Sequence, residues 1–547
     1  MSSRFTTTCL ALLLVFSLSP ATRADDFVRL LQETAARHRT ADWGHWGPNP
    51  AAYSSWTSHS NRLIPIYSFG IDLASVAGQN SLYRDESMIR GLYGFVPDET
   101  LNPQADYLDQ TDVYRLQMQA AKAGKRCIVL FVFDGMDWPT TWAAATYKSG
   151  RVTYREGRGT GLHFQDYRGV ASDYGYCVTS PHNDGTNVDV NAQKIKNSGG
   201  DIRGGYSARV AGSYPWSTPL DAGYLIGKGK EVKHAYPDSA ATATALNSGT
   251  KTYNDSINID PLGRQVETAA RRLQHQGFAV GVVTSVQISH ATPACAYANN
   301  VHRNDYQDIS RDLLGLPSVS HPAPLSGVDV LLGAGWGENN EKDGAQGDNY
   351  VPGNRFLAGT DRQRADVRNG GQYRVVERTP GSSGEALLDE AARESITQKR
   401  RLLGFFGAAG GHLPFATADG DYDPTGSVKE EPEEYSTADL EENPRLAQMA
   451  TTALDVLSSR SDRFWLMVES GDVDWANHAN NIDNSIGAVL AGDQAFLAVV
   501  HWIEKHVGWD DAGVLLTADH GHYLVLDRPD ALANTGDSDG KETRHAE

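Results

Sequence analysis

Cysteine is scarce in this chain: 547 residues carry four. One of them, Cys9, falls in the first 24 residues, which read as a signal peptide. Arg4 is followed by the apolar run LALLLVFSL at 10–18 and then by small residues, with cleavage expected after Ala24. The remaining Cys127, Cys177 and Cys295 allow at most one intramolecular disulfide plus a free thiol, which excludes a disulfide-stapled framework. Long apolar runs are also lacking. The leader is shorter than the roughly 20 residues of a membrane span, and no later segment reads as long and apolar enough to cross, so export to the periplasm or beyond is expected, with no membrane span. Positive charge is in deficit, 49 basic against 68 acidic residues for a net charge of −19. Such a chain repels nucleic acid and anionic membranes as a whole, so no nucleic-acid partner is expected. A phosphate-bearing ligand would need local cations to overcome that field.

What is present is a rhythm of buried strands and helices. Residues 25–125 read as an N-terminal helical and irregular extension, with helices near 26–36 and 107–123. Next, CIVLFVFDG at 127–135 is a continuous apolar run closing on Asp-Gly, as fits a strand buried on both faces of a parallel sheet. Further strands are expected at 278–285, 329–334, 464–470 and 513–519, alternating with helices at 266–276, 444–459 and 486–507. The pattern predicts an α/β fold: a central, mainly parallel sheet with helices on both faces, over 126–547. Stretches 150–232 and 335–440 break the rhythm and read as inserted cap or loop regions. The acidic run KEEPEEY at 429–435 reads as a solvated loop.

Asp134, Glu469, Asp474 and Asp519 all stand at or just after the carboxyl ends of predicted strands, where ligands bind in open α/β sheets. Histidines accompany them: His478 lies one helical turn after Asp474, and TADHGH supplies His520 and His522. A strand-end aspartate taken singly is commonly a helix cap. Four acids in one pocket would repel and raise one another's pKa unless cations were present, so the set together points to zinc and magnesium. In YPDSAATATALNSGTKTYN, Asp238-Ser239 precedes an Ala/Thr run able to form a close-packed helix whose N-terminus holds an anion. Ser239 read alone is an N-cap; beside a metal its hydroxyl becomes a nucleophile. In SHATPACAYANNVHR, Thr292 offers oxygen to a hard cation and Arg303 a fork for two phosphate oxygens.

Five segments, FDGMD at 133–137, PDSAATATALNSGTKTYN at 237–254, SHATPACAYANNVHR at 289–303, VESGDVDWANH at 468–478 and TADHGH at 517–522, together resemble the alkaline phosphatase family in its own order. The resemblance implies hydrolysis of small phosphate monoesters through a phosphoserine at Ser239, with two zinc ions and one magnesium ion. It implies Asp134, Asp519 and His520 as ligands of the zinc that activates Ser239, Asp474 and His478 as ligands of the other zinc, Asp134, Thr292 and Glu469 as magnesium ligands, and Arg303 as the phosphate clamp.

This chain departs from the best-known bacterial pattern at two substrate-site positions, having His290 where Asp is usual there and Trp475 where Lys is. The family also has a late histidine as third ligand of the Asp474/His478 zinc; His545, in RHAE at the end of the chain, fits that position. A phosphodiesterase on the same scaffold and a non-catalytic secreted phosphate- or metal-binding protein are the competing readings, and a homodimer stays open as the assembly. No Cys-x-Pro-x-Arg or Ser-x-Pro-x-Arg segment surrounds Ser239, which argues against a sulfatase.

Overall fold

A computed structural model of the chain describes residues 26–228 and 233–533. The expected leader and His545 lie outside the described residues. Ten strands form the main sheet: β1 Ile64–Phe69, β2 Leu108–Asp109, β3 Cys127–Phe133, β4 Ser172–Val178, β5 Ala279–Gln287, β6 Val330–Ala334, β7 Tyr373–Glu377, β8 Arg401–Phe405, β9 Phe464–Ser470 and β10 Ala512–Ala518. Their spatial order is β7-β8-β6-β5-β9-β3-β10-β1-β4-β2. The seven from β7 to β10 are mutually parallel, and β1 pairs antiparallel with both β10 and β4.

The central strand β3 is buried at every residue, as a strand covered on both faces must be. Helices pack in two groups. One contains α2 Gln110–Lys122 and α4 Ser239–Ser248; the other contains α3 Trp138–Ser149, α6 Leu446–Arg460 and α8 Ile482–His506. All ten residues of α4 are buried, and its Ala/Thr composition lets it lie close against α2 and α5 Ala291–Cys295.

The structure departs from the sequence expectations in three places. Strands β1, β4, β7 and β8 come from stretches read as irregular or inserted, and β2 from the start of the stretch read as a helix over 107–123. They carried weak signals because β1 holds Pro65, β4 reads SDYGYCV with its first three residues outside the core, and β2 is two residues long. Helix α8 is by length and composition able to cross a membrane, against the expectation that no later segment would be; two-thirds of its most apolar window is buried, and it packs on α6, α3 and the sheet. Cys127, Cys177 and Cys295 are all buried free thiols, within the expected limit of at most one disulfide; Cys127 and Cys177 lie on different strands, and Cys295 Sγ faces Ala240 O. Finally, the acidic run is not wholly solvated: Glu433 pairs with the buried His412 at 3.1 Å.

Candidate functional site

Sheet register builds the site. Phe133 of β3 is in register with Ser470 of β9 on one side and Ala518 of β10 on the other. The next residues, Asp134 and Asp519, therefore emerge side by side at the carboxyl edge, with Glu469 one residue back on β9, itself beside Thr284 of β5. Asp134, Glu469, Asp519 and His520 are 0–1% exposed.

Gly135 makes the turn after β3 at φ +74°, a conformation open to glycine; a Cβ there would sit 2.8 Å from the His522 ring and 3.0 Å from Asp474 Cα. Its N–H donates to Asp519 Oδ1 at 2.9 Å, as does the N–H of His520. Thr242 Oγ1 donates to Asp519 Oδ2 at 3.3 Å, which ties α4 to this edge.

Two clusters of possible ligand atoms result, Asp134, Asp519 and His520 in one, and His59, Asp474, His478 and His522 in the other, the atoms of each lying within 4.8 Å of one another. In the first, His520 Nε2 is 3.3 Å from Asp134 Oδ1 and 3.5 Å from Asp519 Oδ2. The other oxygen of Asp134 accepts from Thr292 Oγ1 at 3.3 Å, so this carboxylate faces two sites at once. Thr292 also reaches Glu469, which accepts from Thr284 Oγ1 as well. Asp134, Glu469 and Thr292 thus form an oxygen-only group suited to a hard cation.

Ser239 is the first residue of α4, and the cap is Asp238, whose side chain accepts from Ala241 N at 2.9 Å. The Ser239 hydroxyl is left free of capping and lies 3.1 Å from His520 Nε2. Asp238 also holds the arginine: its Oδ2 accepts from Arg303 Nη1 at 2.9 Å and from Asp255 N at 3.1 Å. The other arm of the fork, Nη2, lies 3.3 Å from His290 Nε2. Arg303, His290, Trp475, His478, His59 and Glu430 line a cavity of about 340 Å³ that opens onto Asp474. The His290 and Trp475 rings lie 6.2 Å apart across it. Glu430 belongs to the acidic run, so that segment borders the site.

The electrostatics fit cation binding. Burial, then the charges of Asp519, Asp474 and Glu469, push Asp134 well above the usual carboxylate range. Burial raises Glu469 to about 8 and Asp519 to about 7. Asp474 goes the other way: burial opposes its charge, but His478 and the hydrogen bond from His522 outweigh that and hold it well below 3.8. Burial keeps His59 and His520 well below the usual histidine range, hence neutral and able to ligate. His290 is lowered to about 3 by burial and then by Arg303, so its Nε2 accepts from the guanidinium. Asp134 Oδ1 and Glu469 Oε1 are buried without a hydrogen-bond partner among the described residues. Orphaned carboxylate oxygens in a dry pocket call for a cation.

The alkaline phosphatase family model matches residues 222–535, more than half of the chain. The chain belongs to the alkaline phosphatase family. The match takes in α4, Arg303 and both clusters except Asp134 and His59, which lie upstream of it. Similar proteins include alkaline phosphatase of Escherichia coli K12, 27% identical over 324 residues and covering 57% of this chain and 63% of that protein. Alkaline phosphatase H of Pseudomonas aeruginosa is 29% identical over 331 residues, covering 57% and 62%. Alkaline phosphatase 3 of Bacillus subtilis is 27% identical over 313 residues, covering 55% and 54%. The chain therefore matches less than two-thirds of the length of each. A crystal structure of Thermus thermophilus alkaline phosphatase aligns with a TM-score of 0.43 at 21% identity, covering 73% of this chain and 60% of that one.

All the site residues expected from sequence that fall among the described residues meet at this one edge. Sequence reasoning missed His59, which sits in WTSHSNR with no patterned neighbour, as well as Thr284 and Glu430. It picked out His522 without a role; the structure sets its Nε2 2.6 Å from Asp474 Oδ1.

Proposed function

We propose that this protein is an exported phosphomonoesterase that transfers the phosphoryl group of a small phosphate monoester to Ser239 and then to water. The observation that carries the reading is the Ser239 hydroxyl, uncapped at the N-terminus of a buried helix and 3.1 Å from His520 Nε2, with Arg303 held by the same Asp238 that caps the helix. The sequence 1–24 supports export.

Asp134, Asp519 and His520 would hold one zinc ion, Asp474 and His478 would take part in holding a second, and Asp134, Thr292 and Glu469 would hold magnesium. When bound, these ions neutralise the carboxylates, lower the pKa of the serine hydroxyl and stabilise the attacking and leaving oxygens. The chain's own residues do the rest. Ser239 Oγ forms a bond to phosphorus as the bond to the alcohol oxygen breaks, and the alkoxide leaves and takes up a proton. Water then attacks phosphorus, the Oγ–P bond breaks, and Ser239 and inorganic phosphate are released. Arg303 grips two phosphoryl oxygens; its partner Asp238 pre-orients the fork, so little side-chain freedom is lost on binding. The α4 N-terminus adds backbone N–H groups that favour the anion. His290 and Trp475 shape the wall beside Arg303.

The test is p-nitrophenyl phosphate turnover with acid trapping of the phosphoenzyme. Ser239→Ala is expected to lose the trapped phosphate and to lower turnover by more than about a thousandfold. A Ser239→Ala protein that still turns over, or a wild-type protein with full activity after chelation, refutes the reading.

A further inference from the structure

Arg303 takes up the polar side of the cavity above Asp474; the large aromatic surface left in it is Trp475. That ring is half-buried and stands on the short helix Asp472–His478. The His290 ring is 6.2 Å away across the cavity, and the loop after β8 supplies the support on another side. There the His412 ring meets Trp475 edge-on, with centroids 4.8 Å apart and planes at 82°. This is a favoured arrangement for two aromatic rings and fixes the tilt of both.

His412 is buried and held at both ring nitrogens. Nδ1 donates to Leu413 O at 2.7 Å, and Nε2 lies 3.1 Å from Glu433 Oε1, whose other oxygen accepts from Tyr435 OH at 2.8 Å. Asp472 Oδ1 is 3.9 Å from Nδ1. Burial opposes a charge on the ring, but Glu433 and Asp472 outweigh it and raise His412 above 6.5. The Phe415 and Tyr435 rings stand beside it at 5.3 and 6.3 Å. One residue at the end of β5 sets the loop and the Trp475 helix in register: Leu413 N donates to Ser285 O at 2.8 Å, and Gly471 N donates to Ser285 Oγ at 2.9 Å. Gln287 Nε2 donates to Gly410 O at 3.2 Å and ties the loop down again. The segment that supplies Glu433 also places Glu430 at the cavity. Among the described residues, the hydrogen-bond, ion-pair and ring partners of His412 include neither Arg303 nor Ser239 nor a member of either ligand cluster.

We infer that His412 is a positioning residue: clamped by Glu433, it fixes the Trp475 ring as the face on which the alcohol part of the ester rests. It therefore governs how tightly esters with aromatic leaving groups bind and leaves the grip on the phosphoryl group alone. The inference rests on the phosphomonoesterase reading of the site.

Steady-state kinetics of the metal-loaded full chain on p-nitrophenyl phosphate and on methyl phosphate test it, with inhibition by inorganic phosphate measured alongside. His412→Gln is expected to raise KM for the aromatic ester about 5- to 10-fold, because a contact made equally in ground and transition states is lost. Its kcat, its KM for methyl phosphate and its phosphate inhibition stay within about twofold of wild type. Glu433→Gln, at a part-exposed position, is expected to raise the same KM about 2- to 5-fold, and it carries the test if His412→Gln fails to fold. In a Trp475→Ala background, where the aromatic face is already gone, His412→Gln adds less than about twofold, since the two residues act as one unit. A general loosening of the fold would not give that pattern. An unchanged KM for p-nitrophenyl phosphate in either single variant overturns the inference. So do equal losses on both esters, weakened phosphate inhibition, or a full His412→Gln effect in the Trp475→Ala background. Wild-type protein that turns over neither ester refutes the phosphomonoesterase reading itself and is recognised before any variant is made.

Discussion

Stripping the metals should make this protein's stability fall as pH rises, with a magnitude that follows from one residue. Glu469 is buried at the sheet edge with Oε1 unpaired, and its carboxyl is raised to about 8 from an ordinary 4.5. The folded apo protein therefore binds a proton that the unfolded chain releases near 4.5. This favours the folded state below about 4.5, and the advantage is lost as pH climbs through about 8. A rise from 4.5 to about 8, at about 1.36 kcal/mol per pH unit, is about 5 kcal/mol. About 4 kcal/mol of that is lost between pH 5 and pH 9, because the unfolded carboxyl is already mostly ionised at pH 5, and unfolding entropy of about 2.1 cal/mol/K per residue over 547 residues turns it into a Tm lower by about 3–4 K at pH 9 than at pH 5. Asp519, raised to about 7, adds in the same direction within the same window. Bound cations keep these carboxylates ionised, so the loaded protein should show no such slope. The assay is calorimetry of EDTA-stripped and zinc/magnesium-loaded protein across pH 5–9, with Tm compared at each pH. Parallel curves for the two forms would refute the argument, because the acids would then not be the groups that the metals neutralise.

Two more outcomes follow from neighbouring residues. Arg303→Lys keeps one charge but loses the fork, and a charge-assisted hydrogen bond of about 1.5–3 kcal/mol makes inhibition by inorganic phosphate about 10- to 100-fold weaker; unchanged phosphate inhibition refutes the clamp. Gly135→Ala forces a Cβ to within 2.8 Å of the His522 ring and 3.0 Å of the Asp474 backbone at positive φ, so both the melting temperature and the zinc content should drop. A Gly135→Ala protein with full zinc content would show that this turn does not hold the second cluster in place.

Much of the site was legible because its chemistry is local in sequence. Asp134, Glu469 and Asp519 stand at the ends of apolar runs, and a parallel sheet brings such ends to one edge whatever the connections between them. Asp474 and His478 share a helix turn, and α4 announced itself by small residues after Asp-Ser. Strands β1, β4, β7 and β8 were not legible: they are short, interrupted or part-polar, and they count as strands only because a neighbour supplies the ladder. The same holds for Glu430, an acid in a run of acids that gains meaning from the cavity it borders.

The sequence by itself pointed to the candidate donor set, the proposed nucleophile and the parallel sheet that would carry them, since these depend on residue type and short-range spacing. Tertiary structure alone decided which histidine stands where. His59 and Asp474 come together only because a strand near the N-terminus zips onto the segment after β10, which sets His59 Nε2 3.9 Å from Asp474 Oδ1. No pattern along the chain encodes that distance, because it is set by backbone pairing between residues far apart in sequence.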